Sequence, residues 1–231
     1  EMCIRDRYQG EGRAGASMTV LIGTAPLREV ATGRVVTAEV FDGISQGNID
    51  SWEKTWKPVI EATRARLAAS GAARSAHPQS AHWDWNRKAT EVRKLLSYRT
   101  FCVVCGGATQ GLMRVETVVH RSRNADEKGR TAQSLVYVDF LETAPWNRPE
   151  HVQHPVYRGV GQVLLATAIQ LSVDEGFKGR IGLHSLPQSE EFYRSVVRMT
   201  DHGPDSSYPG GLRYFELDAA GAQAFNQGGA L

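Results

Sequence analysis

Hydrophobic and polar positions follow two different periods along the chain, and these periods predict a mixture of strands and helices. Alternating or continuous runs of apolar and β-branched residues predict strands at 18–23, 34–41, 98–105, 112–119, 134–142, 180–184 and 212–217. Apolar residues that recur every three or four positions predict helices at 48–69, 84–97, 161–175 and 187–197. Two helices, a hairpin and then alternating strands and helices indicate an α/β domain with a mixed sheet.

Local residue types refine several of these boundaries. Asn48 or Asp50 is expected to cap the first helix, and Pro58 to kink or split it. Gly176 is expected to end the third helix in the left-handed conformation. The residues at 70–80 are small, polar and aperiodic, which predicts a surface loop.

Composition and charge narrow the classes of function. The 231 residues are 41% hydrophobic and 23% charged, which suits one large domain or two small ones rather than a disordered chain. Lys and Arg number 27 against 25 Asp and Glu, and this surplus is too small to indicate nucleic acid or an anionic membrane as the partner. No apolar run approaches the roughly 20 residues that cross a bilayer. Three cysteines do not make a disulfide framework, so a reducing compartment, the cytoplasm, is expected.

Residues Met2–Arg7 back-translate to a string that resembles a transposase end sequence used as an adapter in sequencing libraries. We therefore expect residues 1–17 to be non-native or disordered, and the natural start to be Met18. A native but disordered N-terminus is the alternative. Residues 18–231 are expected to form a single domain whose core spans about 98–217.

The stretch 156–165 carries the strongest chemical signal. It follows a near-continuous apolar run, which is typical of a strand covered on both faces, and it opens an apolar helix. Gly159 and Gly161 let the backbone approach a ligand closely, and exposed amides at a helix N-terminus bind phosphate oxygens. Arg158 adds a positive charge. The third glycine of the dinucleotide fingerprint and the Gly-Lys-Ser/Thr of a phosphate-binding loop are missing, which disfavours an unrelated nucleotide-binding protein.

This stretch resembles the acyl-coenzyme A loop of the GCN5-related N-acetyltransferase (GNAT) superfamily. The resemblance rests on Arg158–Gly161 followed by Leu164-Leu165, although Val156 stands where the family has Gln or Arg. The residues Leu141–Pro145 are similar to the family's strand exit, and Phe192-Tyr193 to an aromatic pair on its penultimate helix. In element order the resemblance extends over about 98–217.

The resemblance implies a GNAT-like acyl-CoA N-acyltransferase fold of α+β type, with a mixed, mostly antiparallel sheet flanked by helices. It also implies acetyl-coenzyme A (acetyl-CoA) as co-substrate and an amine as acceptor. The residues implied in cofactor binding are Leu141 and Thr143 at the strand exit and Tyr157, Arg158, Gly159, Val160, Gly161 and Gln162 at the loop.

Three residues are candidates for catalysis. The resemblance implies that the phenol of Tyr193 protonates the departing thiolate, with a tyrosine that only packs in the core as the alternative. Asp139 and Glu142 lie in or beside an apolar strand, where burial raises a carboxyl pKa toward the range of a general base. They are three positions apart, so on a regular strand they are expected to face opposite sides. A hydrogen-bonded structural carboxylate is the alternative for either, and Glu116 is a third carboxylate with a weaker case than these two.

Other polar groups are expected to be structural. Cys102 and Cys105 should face opposite sides of a strand as buried thiols, and His151 with His154 has no third ligand nearby, so no metal is expected. His184 is expected to be a hydrogen-bonded core residue. The tryptophans either line an acceptor cleft or cover the core; they are Trp83, Trp85 and Trp146.

The sequence thus predicts an N-acetyltransferase that moves an acetyl group from acetyl-CoA to a primary amine by direct attack in a ternary complex. The acceptor, a small molecule or a peptide or protein, is left open, as is the choice between monomer and homodimer. A non-catalytic module that senses acyl-CoA in the same pocket is the alternative function.

Overall fold

A computed structural model describes residues 19–228, and nine strands of this part of the chain form one sheet. They are β1 Val20–Glu29, β2 Val35–Asp42, β3 Tyr98–Cys105, β4 Ala108–Glu116, β5 Val136–Thr143, β6 Tyr157–Arg158, β7 Ile181–Ser185, β8 Thr200–Pro204 and β9 Arg213–Leu217. Their spatial order is β6-β1-β2-β3-β4-β5-β7-β9-β8. Neighbouring strands are antiparallel except for β5 and β7, which are parallel.

Helices cover both faces of this sheet. They are α1 Gln46–Ser51, α2 Lys57–Ala69, α3 Trp85–Val92, α4 Val160–Asp174 and α5 Ala219–Gln227, with π-helical turns at Trp52–Trp56 and Phe192–Val196. The predicted fold class, a mixed and mostly antiparallel sheet flanked by helices, is confirmed.

Each face of the sheet has its own hydrophobic core. On one face α4 buries an aliphatic stripe that includes Leu164, Leu165 and Ile169 against the strands. On the other face Trp52, Trp56 and Trp85, which belong to the helical segments between β2 and β3, form a second core with residues of the sheet. The central strand β5 is therefore covered on both faces, as its apolar run predicts.

The first helix begins earlier than predicted. Ser45 is its N-cap: the Ser45 hydroxyl accepts a hydrogen bond from the Asn48 amide at 3.2 Å, and the Asn48 side chain accepts one from the Ser45 amide at 2.9 Å. This reciprocal pair is a capping box, so the prediction of Asn48 or Asp50 as the cap was wrong. The helix is divided ahead of Pro58 by the π-helical turn Trp52–Trp56, which leaves the proline in the first turn of α2.

A β-bulge in β5 corrects a second prediction. Arg114 pairs with Phe140 while the next residue, Val115, pairs with Val138, so Asp139 is an extra residue in its strand. The bulge shifts the alternation of side chains. As a result Asp139 and Glu142 both contact the side of the sheet that carries α3, and the prediction of opposite sides was wrong.

Several elements near the C-terminus also differ from prediction. The predicted helix 187–197 is a short 3₁₀ turn at Pro187–Ser189 followed by the π-helical turn Phe192–Val196. Strands β6 and β8 and helix α5 were not predicted. β6 and β8 lie at the two edges of the sheet and have no hydrophobic run, since β6 is short and β8 is polar. The expectations about residues 1–17 and Met18 lie outside the described residues. Within 19–228, no helix is both long and apolar enough to cross a bilayer.

Candidate functional site

The sheet opens between its two parallel strands. β5 and β7 pair only at Val136–Ile181 and Tyr137–Gly182. Beyond these pairs the strands separate, and every second residue of 138–143 directs its backbone N–H and C=O into the gap instead of to a neighbouring strand. The gap is therefore a cleft with a polar backbone wall.

Two neighbouring cavities with some shared lining residues occupy this cleft. One, of about 440 Å³, lies at the start of α4, and we name it the glycine half. The other, of about 320 Å³, is lined by Trp83, Phe140, His184 and Tyr208, and we name it the aromatic half. The residues that line both halves are Trp83, Leu141, Leu186, Ser189 and Tyr193. A groove of similar size between α4 and the outer strands β1–β3 lies away from the opened sheet and brings none of the predicted site residues together.

The glycine half is built around the first turn of α4. Gly159 is the N-cap with a φ of 100°, a left-handed conformation that favours glycine. The amide of Val163 bonds to the Gly159 carbonyl at 2.9 Å, whereas the amides of 160–162 precede the intrahelical ladder. At Gly161 a Cβ would lie 3.4 Å from the Phe192 ring. The predicted loop residues thus present backbone amides, at the positive end of a helix, to an open cavity.

The long connection before this loop positions it. Gln110 of β4 accepts hydrogen bonds from the side chains of Trp146 and Asn147, both at 2.9 Å. Asn147 in turn accepts a bond from the Tyr157 amide at 2.9 Å. Tyr157, Arg158 and the rest of the loop line the glycine half together with Leu141 and Thr143 of β5. All eight predicted cofactor-binding residues therefore lie on one cavity.

Tyr193 lies where the two halves meet. It is buried in the π-helical turn against Phe192 and Phe215, and burial raises the pKa of its phenol above the ordinary value of 10.0. Its hydroxyl makes no hydrogen bond to any residue of 19–228. A neutral phenol at this position keeps its proton at physiological pH and is able to donate it.

Glu142 is buried and fully engaged by the protein. One carboxylate oxygen accepts a bond from the Ser80 hydroxyl at 2.8 Å, and the other accepts one from the Trp85 indole at 2.6 Å. Arg148 lies 3.8 Å away. Burial raises the pKa of Glu142, although Ser80, Arg148 and Trp85 oppose the shift. Glu142 therefore joins β5 to the segment before α3.

Asp139 lines the aromatic half and is held by Arg114. The guanidinium contacts one Asp139 oxygen through Nε at 2.8 Å and Nη2 at 2.5 Å, and it also bonds to the Lys88 carbonyl at 3.0 Å. The Lys88 ammonium lies 3.0 Å from the centre of the Phe140 ring. Burial, followed by repulsion from Arg114, lowers the pKa of Lys88 to about 8.

A covering segment, residues 77–83, lines both halves of the cleft through Ser80, His82 and Trp83. Gln79 and Gln188 exchange two hydrogen bonds of 3.1 and 3.2 Å, and the Gln188 side chain also bonds to the His77 carbonyl at 2.8 Å. Trp83 packs edge-on against Phe140 with ring centres 5.0 Å apart. The sequence predicted a surface loop at 70–80, and no local pattern indicated that residues of this region line both halves of the cleft.

The far wall of the aromatic half is a hydrogen-bonded ring cluster. His184 bonds through Nδ1 to the Tyr137 hydroxyl at 2.8 Å and through Nε2 to Asp205 at 3.1 Å. Its ring stacks on Tyr208 with centres 3.7 Å apart, and burial lowers its pKa. His184 is thus hydrogen-bonded, as predicted, but it also lines the cleft. Asp205 and Tyr208 were missed because they lie in a loop without a recognisable motif.

The remaining candidates lie outside the cleft. Cys102 and Cys105 are buried in opposite cores, as predicted, and burial raises the pKa of the Cys102 thiol to about 12. Glu116 accepts bonds from the amides of the turn that follows β4. His151 is buried against Thr63. Residues 19–228 contain no cluster of three His, Cys, Asp or Glu side chains that could hold a metal ion.

Comparison with known proteins places these observations among solved folds. No protein-family model and no curated protein matches the chain. Similar solved structures include the PaiA N-acetyltransferase of Thermoplasma acidophilum in complex with coenzyme A, at 11% identity and a TM-score of 0.46, covering 78% of this chain and 98% of that one. Mycobacterium smegmatis RimJ in complex with CoA-disulfide shares 14% identity at a TM-score of 0.45, with 92% and 95% covered.

The GNAT domain of S. lividans PAT is similar at 14% identity and a TM-score of 0.42, with 84% of this chain and 96% of that domain covered. The superfamily that the 156–194 motifs resemble is thus represented among structures similar in fold.

Proposed function

We propose that this protein is an acyl-CoA-dependent N-acyltransferase that transfers an acetyl group from acetyl-CoA to a primary amine in a ternary complex. The observation that carries the proposal is the cleft between β5 and β7. One half ends on the glycine-capped start of α4, the other is a separate aromatic cavity, and Tyr193 lies where they meet.

The glycine half suits the diphosphate and pantetheine parts of coenzyme A. Backbone amides at 160–162 and the dipole of the 15-residue helix α4 attract phosphate oxygens, and the absence of a side chain at Gly161 leaves room for them. The unpaired edge of β5 at 138–143 offers N–H and C=O groups to an extended chain that carries amides, in the manner of an added strand. The residues present therefore fit the group.

Acetyl-CoA supplies a thioester whose carbonyl carbon the amine attacks, so that a C–N bond forms and the C–S bond breaks. An N–H of the β5 edge stabilises the developing charge on the carbonyl oxygen. The Tyr193 hydroxyl donates its proton to the leaving sulfur, a role supported by the position of Tyr193 between the two halves of the cleft. No covalent enzyme intermediate is required, so the chain needs no nucleophilic side chain.

Asp139 is the better placed of the two carboxylates to receive the proton that the amine loses. It lines the aromatic half, and the contacts to Arg114 involve only one of its oxygens. Both oxygens of Glu142 are occupied by Ser80 and Trp85, which suits a positioning role.

A non-catalytic acyl-CoA sensor is the second candidate. The contacts of Asp139 with Arg114 and of Glu142 with Ser80 and Trp85 favour it, because a carboxylate that already has a partner in the protein is less available as a general base. A sensor would bind coenzyme A in the glycine half and release no thiol with any amine.

Two measurements test the proposal. Coenzyme A at 100 times its dissociation constant should stabilise the protein by about 2.7 kcal/mol and raise its Tm by roughly 5–10 °C, while ATP and NAD should not. Release of free thiol from acetyl-CoA should then depend on an added primary amine. Absence of any coenzyme A shift would overturn the proposal, and binding without thiol release for every amine would establish the sensor instead.

A further inference from the structure

The aromatic half of the cleft has a composition that selects among amines. Rings form two of its walls: Trp83 and Phe140 pack edge-on against each other on the β5 side, and Tyr208 stacks on His184 on the β7 side. Between the ring walls the lining is aliphatic, from Leu183, Leu186 and Leu212. Such a cavity stabilises a flat apolar body by burial and by ring contacts.

Charge excludes several other classes of amine. Among the described residues that line this cavity, Asp139 is the single carboxylate, and no lysine or arginine lines it. A free carboxylate on the acceptor would therefore be buried without a partner. A second positive charge on the acceptor would likewise be buried without a partner, because Asp139, the single carboxylate among these described lining residues, would already face the reacting amino group.

Size and closure point in the same direction. The cavity of about 320 Å³ suits a compact molecule. The covering segment lines it through His82 and Trp83 and is bonded to Gln188 through Gln79, so a small amine suits this space better than a polypeptide does.

We propose that the acceptor is a small primary amine on a short chain that carries an aromatic ring, with no carboxylate and no second amino group. This inference rests on the proposed function. The amino group would lie toward Asp139 and the thioester, and the ring would lie between the Trp83–Phe140 and His184–Tyr208 pairs.

A matched set of acceptors tests the class. With acetyl-CoA held saturating, 2-phenylethylamine should show a kcat/KM at least about 100-fold above that of phenylalanine, which adds only a carboxylate, and of spermidine, which adds charges. Cyclohexylethylamine has similar bulk without aromaticity and should show a KM about 2- to 12-fold higher. A preference for spermidine or for an amino acid would overturn the inference, as would a failure of 2-phenylethylamine either to react or to bind calorimetrically while coenzyme A binds.

Variants of Tyr208 test whether the preference for an aromatic acceptor arises in this cavity, because Tyr208 lines the aromatic half and not the glycine half. Tyr208→Phe keeps the ring and should retain the preference for 2-phenylethylamine over cyclohexylethylamine, whereas Tyr208→Leu should reduce it about 2- to 12-fold. The dissociation constant of coenzyme A should stay the same in both, which shows that they fold. A preference unchanged in a Tyr208→Leu protein that binds coenzyme A normally would overturn the placement. If the wild-type protein does not bind coenzyme A, the proposed function itself is refuted.

Discussion

At the scale of single residues, burial decides which groups are available for chemistry. Tyr193 and Glu142 are both buried, and burial raises the pKa of each. The consequences differ because their contacts differ. Tyr193 lines the cleft, and its hydroxyl has no hydrogen-bond partner among residues 19–228, whereas each oxygen of Glu142 accepts a hydrogen bond.

Tyr193→Phe keeps the ring packing and removes only the proton donor. The turnover number should fall by about 10²- to 10⁴-fold, the usual contribution of general acid catalysis, while the dissociation constant of coenzyme A should hardly change. Steady-state kinetics and calorimetry measure the two quantities. Tyr98→Phe, in β3 outside the cleft, is the matched control and should leave turnover unchanged. Full turnover in Tyr193→Phe across a pH series would assign this tyrosine to the core alone.

Glu142→Gln should change how stability depends on pH. Because burial raises the folded-state pKa of Glu142 above its ordinary value of 4.5, the folded protein binds more protons than the unfolded chain in this range. Its contribution to stability is therefore fully present below about pH 4.5 and is lost as the pH rises through the raised pKa. The wild type should lose stability relative to Glu142→Gln over this window in denaturant unfolding.

Glu53→Gln controls for the loss of one negative charge, since Glu53 is exposed on the first π-helical turn. The free energy of unfolding of Glu53→Gln should therefore change with pH in parallel with that of the wild type. Parallel stability curves for the wild type and Glu142→Gln would show that Glu142 has no raised pKa in the folded protein.

At the scale of elements, the cleft depends on how strands and turns end. β5 and β7 separate after two residue pairs. The short strand β6 is followed directly by α4, whose N-cap is Gly159 in the left-handed conformation. The covering segment is held by side-chain bonds rather than by strand pairing. The strands β5 and β7 form the sides of the cleft, and residues of the connecting loops complete its lining.

Gly161→Val tests the helix start as a binding element. The new Cβ would lie 3.4 Å from the Phe192 ring, and the branched methyl groups would extend into the space in front of the helix amides. The dissociation constant of coenzyme A should rise about 5- to 150-fold, the range expected when 1–3 kcal/mol of overpacking is introduced. Calorimetry with the folded variant measures this change.

Gly23→Val is the control for that experiment. Gly23 lies in β1 with open space around the position of a Cβ, and it does not line the cleft. Coenzyme A should bind this variant as it binds the wild type. Equal affinity for wild type and Gly161→Val would remove the α4 start from the binding site.

At the scale of the whole molecule, one sheet separates two cores of different chemistry. The five tryptophans of the chain lie on the side of α1–α3 or over the cleft, while the opposite core is built on the aliphatic stripe of α4. β5 contributes to both cores, since Val138 packs in one and Phe140 against the other. The two faces therefore share their central strand.

Leu165→Ala should show whether the faces unfold together. Leu165 is completely buried in the α4 core, so its truncation should cost about 2–5 kcal/mol. Tryptophan fluorescence reports the other face. If the sheet couples the two, fluorescence and far-UV circular dichroism should shift to the same lower denaturant midpoint. A fluorescence midpoint that stays at its wild-type value would mean that the faces unfold separately.

Much of the fold follows from local periodicity. The strand Tyr98–Cys105 has its predicted bounds, and α4 differs from prediction by one residue at each end. Gly176 has a φ of 78°, as expected after a helix that ends in the left-handed conformation. These features depend on residues a few positions apart, whose spacing is visible in the sequence.

The sequence by itself determined the fold class, the glycines at the start of α4 and eight of the residues that line the glycine half. Only the tertiary structure decided the bulge at Asp139, the engagement of Glu142 by Ser80 and Trp85, and the wall formed by His184 and Tyr208. The physical reason is sequence separation. The contacts that hold Glu142 join residues 57 and 62 positions apart, and burial, pKa and hydrogen bonding arise only when the sheet brings such residues together.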